Sequence, residues 1–235
     1  MGEPRASNER PTRVGRRVLL AMIGAAAAGV AFGARAQNAI GNVVGSGLGG
    51  LVPGADRFRI YSITSSYPDI PRSTYRLKVT GLVTTSLDLT LDDLMAMPRV
   101  ELVKDFQCVT GWRVPQVHWV GVRLSDVLNA AGVLPSAKML AFASYDGLDT
   151  ESLTMSQASR PDVIVAYEML GAAITREHGG PVRLYVAPMF GYKSIKWLSE
   201  IKVVESAPLG YWEHDGFPAD AWINGSLQRI EKSLV

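Results

Sequence analysis

The sequence predicts an α+β fold built on mixed sheets, and three observations carry that prediction. Strand-like and helix-like segments alternate irregularly, the helical segments are short, and no G-x-G-x-x-G follows a strand. The first two argue against a doubly wound fold, where strands alternate regularly with long helices. The third argues against a nicotinamide dinucleotide site.

Tyr75-Arg76-Leu77-Lys78-Val79-Thr80 alternates apolar and polar side chains and stops at Gly81, the pattern of a half-buried strand. Leu87-Asp88-Leu89 reads as a short strand running into a short helix. There Thr90 can cap and Asp93 stands at capping-box spacing, with Pro98 closing the segment. Val100 to Val109 is the next strand, with Cys108 near its end. Ser125 to Ala131 is a short helix stopped at Gly132. Met139–Ala143, Val163–Tyr167, Val182–Val186 and Ile201–Val204 complete the strands, with Asp146-Gly147 expected as the turn between the first two.

The first 36 residues are set apart as a targeting segment. An arginine-rich stretch leads through Arg16-Arg17 into a Gly/Ala-rich apolar run that ends in Ala34-Arg35-Ala36, a small-x-small cleavage pattern. The arginine pair resembles a twin-arginine signal, although Gly15 and Leu19 depart from its usual residues. The run is short and weakly apolar for a retained membrane anchor, the competing reading. Residues 37–55 read as a Gly-rich flexible leader, and 56–235 as one folded domain. A periplasmic or otherwise extracytoplasmic location is expected.

Charge follows that division. Residues 1–36 hold six of the 24 basic and two of the 22 acidic side chains, so the remainder carries 18 against 20, a formal net charge of −2. That balance gives no support to nucleic-acid binding, which calls for a basic domain face.

Cys108 is the single cysteine, so no internal disulfide can form. A lone thiol is an apolar filler, a metal ligand or a nucleophile. A second segment bears on the choice: His178-Gly179-Gly180-Pro181-Val182-Arg183-Leu184, then Phe190-Gly191-Tyr192-Lys193-Ser194-Ile195-Lys196-Trp197. Arg183, Lys193 and Lys196 place three cations within fourteen positions, a group suited to phosphate, and glycine lets backbone approach a ligand closely. A strand followed by a solvated basic turn explains the same segment without function.

Together these segments resemble a family. Cys108-Val109-x-Gly111-Trp112, Trp119-x-Gly121-Val122-x-Leu124, Ala166-Tyr167-Glu168-Met169, Arg176-Glu177-His178-Gly179-x-Pro181 and Gly191 to Trp197 are similar to the molybdopterin-binding oxidoreductase domain of the sulfite oxidase superfamily. The likeness runs from about Phe58 to Gly210-Tyr211-Trp212-Glu213. It implies a molybdenum–molybdopterin cofactor and two-electron oxygen-atom transfer. By position, the resemblance makes Cys108 the thiolate that ligates molybdenum and Arg183 the arginine at the pterin phosphate. It makes Ser194, Ile195 and Lys196 the strip that holds the pterin, and Tyr61, Ser144 and His178 further cofactor contacts.

Within the superfamily, size and layout resemble the bacterial periplasmic protein-methionine-sulfoxide reductase catalytic subunit. That likeness implies a small-molecule or protein-bound sulfur substrate and a membrane haem or cytochrome partner. Met189-Phe190, in place of a Trp-Lys pair, and the segment Ile60 to Arg72 depart from that pattern. Sulfite dehydrogenase-like oxidation is the alternative, and it calls for an arginine pocket near the metal, for which Arg113 and Arg123 are available. A non-catalytic binding module is the alternative of another class. The chain leaves no room after Tyr211-Trp212-Glu213 for the dimerisation domain of eukaryotic-type relatives, so a monomer is expected.

Overall fold

The computed structural model describes residues 58–63, 66–110 and 112–223. The targeting segment and the leader expected from the sequence lie outside the described residues.

Two five-stranded sheets form the framework. The first has the order β2-β1-β10-β5-β6 and contains β1 (Leu77–Gly81), β2 (Leu87–Leu89), β5 (Met139–Ser144), β6 (Thr150–Thr154) and β10 (Leu198–Val204). It is mixed, because β1 and β10 pair in parallel whereas its other neighbours are antiparallel. The second joins β3 (Arg99–Gln107), β4 (Arg113–Arg123), β7 (Val163–Met169) and β8 (Ala172–Ala173), with β9 (Arg183–Val186) also on β7. All its pairings are antiparallel. This is the α+β, mixed-sheet architecture that the sequence predicts.

Local chemistry accounts for the short helices. In α1 (Leu91–Ala96) the Thr90 hydroxyl accepts from Asp93 N at 3.0 Å while Asp93 accepts from Thr90 N at 2.8 Å, closing the expected capping box. Helix α2 (Leu124–Ala131) ends at Gly132, which adopts a left-handed φ of 69° that glycine takes without a Cβ clash. Helices α3 (Met155–Ala158) and α4 (Tyr211–His214) are single turns. Among the described residues, no helix is long and apolar enough to cross a membrane.

Two elements depart from the sequence-based expectation. Asp146-Gly147 leads from β5 into β6, not directly to β7, because the polar-looking run Thr150 to Thr154 is a strand with Glu151 and Ser152 buried. Strand β4 runs through Pro115, which sits at a register shift against β3. There Gln116, at φ 50°, donates its N–H to Asp105 Oδ1 at 2.8 Å.

The second sheet is buried on both faces, and this places the site. Val120, Val122, Val163, Val165, Leu184 and Val186 share one core with the first sheet and α1–α3. On the opposite face, Phe106, Val117, Trp119, Ile164, Ala166 and Tyr185 form a second cluster, against which Phe58, Tyr61 and Cys108 pack. The alternation along β4, β7 and β9 delivers these two sets to opposite faces.

Candidate cofactor site

Cys108 lies directly after β3, half-buried at the edge of that second cluster. Its N–H donates to Trp112 O at 2.9 Å, and Thr110 Oγ1 donates to its Sγ at 3.2 Å. Burial pushes the thiol pKa up; hydrogen bonds from Thr110 and Val109 and the charge of Arg59 act in the opposite sense.

An aromatic wall connects this thiol to the His178 turn. Phe106 stacks on Trp112 with centroids 5.8 Å apart, and Phe58 meets Phe106, Trp112 and His178 at 5.3, 6.1 and 4.9 Å. Tyr61 lies 6.5 Å from Trp112, ring to ring. Trp112 Nε1 is buried with no hydrogen-bond partner among the described residues.

Beyond the wall stand two cations, Arg183 buried and Lys196 half-buried. Arg183 is 4% exposed, its guanidinium over the Phe106 and Trp119 rings at 5.5 and 5.6 Å. Its Nη1 donates to His178 O and its Nη2 to Ser194 O, both at 2.7 Å. Lys196 donates to Tyr61 O and lies 4.3 Å over the Trp197 ring. Gly179, at φ 95°, makes room for it, since a Cβ there would stand 2.6 Å from the Lys196 side chain. Among the described residues neither cation has an ion-pair partner. Burial lowers Arg183 to about 10, and burial with the charge of Arg183 lowers Lys196 to about 7. His178 is lowered to about 4 by burial and then by both cations, so its imidazole is neutral at pH 7.

Ser194 and Ile195 are buried between these cations in the chain. Ser194 Oγ accepts from Val186 N at 3.0 Å, which leaves its hydroxyl hydrogen to donate elsewhere, and Ile195 O accepts from Leu184 N at 3.0 Å. Ser144 is paired with Leu198 in register, and Tyr145 N donates to Trp197 O at 2.8 Å, so the turn after β5 lies beside the Lys196 strip. Tyr61, Ser144, His178, Arg183, Ser194, Ile195 and Lys196 thus converge, with Cys108 joined to them through the aromatic wall.

Two expectations are corrected. Lys193 is not part of this group: it is buried between Glu151 and Glu213, with Glu213 Oε1 at 2.7 Å. Arg123 lies at the far end of β4 and builds no anion pocket beside Cys108. Arg113, opposite Gln107 in register, is ion-paired with Asp105, while its Nε is buried with no partner among the described residues. His118 pairs with Glu101 at 2.8 Å on a partly exposed surface, away from the group. Phe58 and Asp149 were not singled out by their local sequence; only the tertiary packing places them at the site.

Residues 64–212 match the model of the oxidoreductase molybdopterin binding domain. The chain belongs to the molybdopterin-binding oxidoreductases of the sulfite oxidase superfamily. It is 32% identical over 174 residues to an oxidoreductase of Bacillus subtilis, covering 69% of this chain and 87% of that one. It is 31% identical to a protein named as a protein-methionine-sulfoxide reductase subunit in Azospira oryzae, covering 72% and 63%. Human mitochondrial sulfite oxidase is 33% identical over 66% of this chain, which spans only 34% of that protein. The crystal structure of the sulfane dehydrogenase SoxCD of Paracoccus pantotrophus aligns with a TM-score of 0.55 at 28% identity, over 61% of this chain and 41% of that one.

The residues present fit molybdopterin. A phosphate is an anion matched to Arg183 and Lys196, which have no carboxylate partner among the described residues. Molybdenum is a thiophilic metal, matched to a thiol set among hydrogen-bond donors. Among the described residues no group of three or more His, Cys, Asp or Glu side chains could hold a bare metal ion.

Proposed function

We propose that this molybdopterin oxidoreductase reduces sulfoxides, with protein-bound methionine sulfoxide as its substrate, after twin-arginine export to the periplasm. Bound molybdopterin supplies two-electron redox chemistry in which an oxygen atom passes to or from sulfur. Sulfoxide, two electrons and two protons become thioether and water, the electrons coming from a membrane haem or cytochrome partner.

The residues of the chain hold and shape. Cys108, as thiolate, ligates the metal. Arg183 and Lys196 hold the phosphate-bearing cofactor, with Ser194, Ile195, Ser144, Tyr61 and His178 lining the same cradle. A neutral His178 accepts or donates one hydrogen bond there without adding a third positive charge.

The observation that carries the preference for sulfoxide is the character of the wall. Phe58, Tyr61, Phe106 and Trp112 surround the approach to Cys108, and Arg113 is engaged by Asp105. An uncharged thioether side chain suits aromatic surroundings, whereas sulfite calls for cations. The relative named as a sulfoxide reductase subunit supports the same reading. Sulfite oxidation is the second reading, favoured by Arg59, whose charge reaches the thiol from an exposed position.

Steady-state turnover tests the choice. Loaded enzyme with a reduced viologen donor is expected to consume protein methionine sulfoxide and free methionine sulfoxide, and to leave sulfite untouched with ferricyanide as acceptor. Turnover of sulfite alone reverses the assignment.

A further inference from the structure

Asp149 ends the turn that follows β5. Its backbone carbonyl accepts from Ser144 N at 3.2 Å and lies 3.0 Å from Ser144 Oγ, which fixes the residue beside the cofactor cradle. The residue is 8% exposed, and Oδ1 is buried with no hydrogen-bond partner among the described residues. In the same turn Asp146 Oδ1 accepts from the Ser144 hydroxyl and from Leu148 N and Asp149 N, the last two at 3.0 and 3.1 Å, while Asp146 Oδ2 is buried with no partner among the described residues. Two acceptor oxygens with no donor among the described residues thus stand in the turn beside the cradle, whose cations have no carboxylate partner there.

We propose that Asp149 receives the N–H donor edge of the bound pterin, so that the cradle recognises the heterocycle as well as the phosphate. This rests on the cofactor reading above. The chemistry is complementary: a pterin carries ring N–H and amino groups that only donate, and a carboxylate only accepts. A buried acceptor with no donor is costly, and structures retain one where a ligand completes it. The charges of Arg183 and Lys196 both reach Asp149, yet neither comes within ion-pair distance among the described residues. Burial, followed by the charge of Asp146, pushes Asp149 up to about 7, as expected of a carboxylate not satisfied by the protein alone. Asp146 also builds the turn, so Asp149 is the better probe.

The test compares wild type with Asp149→Asn and Asp149→Leu, each prepared from a molybdenum-replete host and from a host unable to make the cofactor. Pterin content and its rate of loss are read by fluorescence after oxidative release, and thermal midpoints are read on the cofactor-free proteins. Asp149→Leu is expected to lose pterin roughly tenfold faster than wild type. Asp149→Asn falls between, because its amide oxygen still accepts. The cofactor-free midpoints of both variants stay level or rise, because an orphaned buried carboxylate has been removed. Equal retention by loaded wild type and both variants overturns the proposal. So does a fall of the cofactor-free midpoint in both variants, or failure of both to fold, either of which makes Asp149 a structural counter-charge. A folded wild type that takes up no pterin sinks the cofactor reading and this proposal together.

Discussion

Lys193 Nζ donates to Glu213 Oε1 at 2.7 Å, with both side chains at most 2% exposed. Glu151, on β6, approaches the same ammonium from the other side. One cation therefore ties α4 and β6 to the 3₁₀ turn Gly191–Lys193, immediately before the strip Ser194 to Lys196. Removing the cation leaves buried carboxylate charge without a partner. Lys193→Met is expected to lower unfolding stability by about 3–5 kcal/mol. Urea unfolding at pH 7 measures it, and a change below about 1 kcal/mol contradicts the assignment.

The same cluster predicts a pH dependence. Burial outweighs the attraction of Lys193 and pushes Glu151 from 4.5 up to about 8. Between those values the folded state binds more proton than the unfolded state, so this group's contribution to stability falls as pH rises through that window. Asp149, raised to about 7, acts in the same sense. Glu151→Gln cannot ionise, and its unfolding midpoint is expected to drop less than that of wild type between pH 5.5 and 8.5. Parallel pH profiles refute this.

His178 has the opposite sign. Its pKa is lowered from 6.5 to about 4, so the unfolded state takes up the proton first and stability is lost as pH falls through that window. In the cofactor-free protein its imidazole resonances are expected to show no titration between pH 5.5 and 8. A midpoint near 6.5 in an NMR titration contradicts the buried, neutral histidine.

Gly179→Ala tests the cradle without touching a polar group. The new Cβ meets Lys196 at 2.6 Å in a backbone conformation unfavourable to alanine, so Lys196 must move. The variant is expected to fold with a loss of about 1–3 kcal/mol and to retain less pterin than wild type. Wild-type pterin content beside an unchanged thermal midpoint removes Lys196 from the cradle.

The elements legible in the sequence were those set by neighbours in the chain. Thr90 and Asp93 are three positions apart and specify their own cap; Ala131 and Gly132 specify a helix end; the alternation from Leu77 to Thr80 needs no distant partner. What was not legible depends on distant contacts. Pro115 in β4 reads as a breaker until Asp105, on the paired strand, supplies an acceptor for Gln116. Glu151 makes β6 look like a loop until Lys193, forty-two positions later, accounts for its burial. The site divides in the same way. Its motifs reveal the family, yet Lys193 and Lys196 stand only three positions apart in the chain, and the fold alone sends the first to Glu151 and Glu213 and the second to Tyr61 O. Asp149 carries no local signal at all, because its isolation is a property of what surrounds it.

Molybdenum and pterin content of the purified protein from a molybdenum-replete host, wild type beside Cys108→Ser, tests the central claim most directly. Near-stoichiometric metal and pterin in the wild type, with an altered molybdenum EPR signal in the variant, is the predicted result. A folded wild type without metal or pterin, or a Cys108→Ser variant whose EPR signal matches that of wild type, contradicts the account.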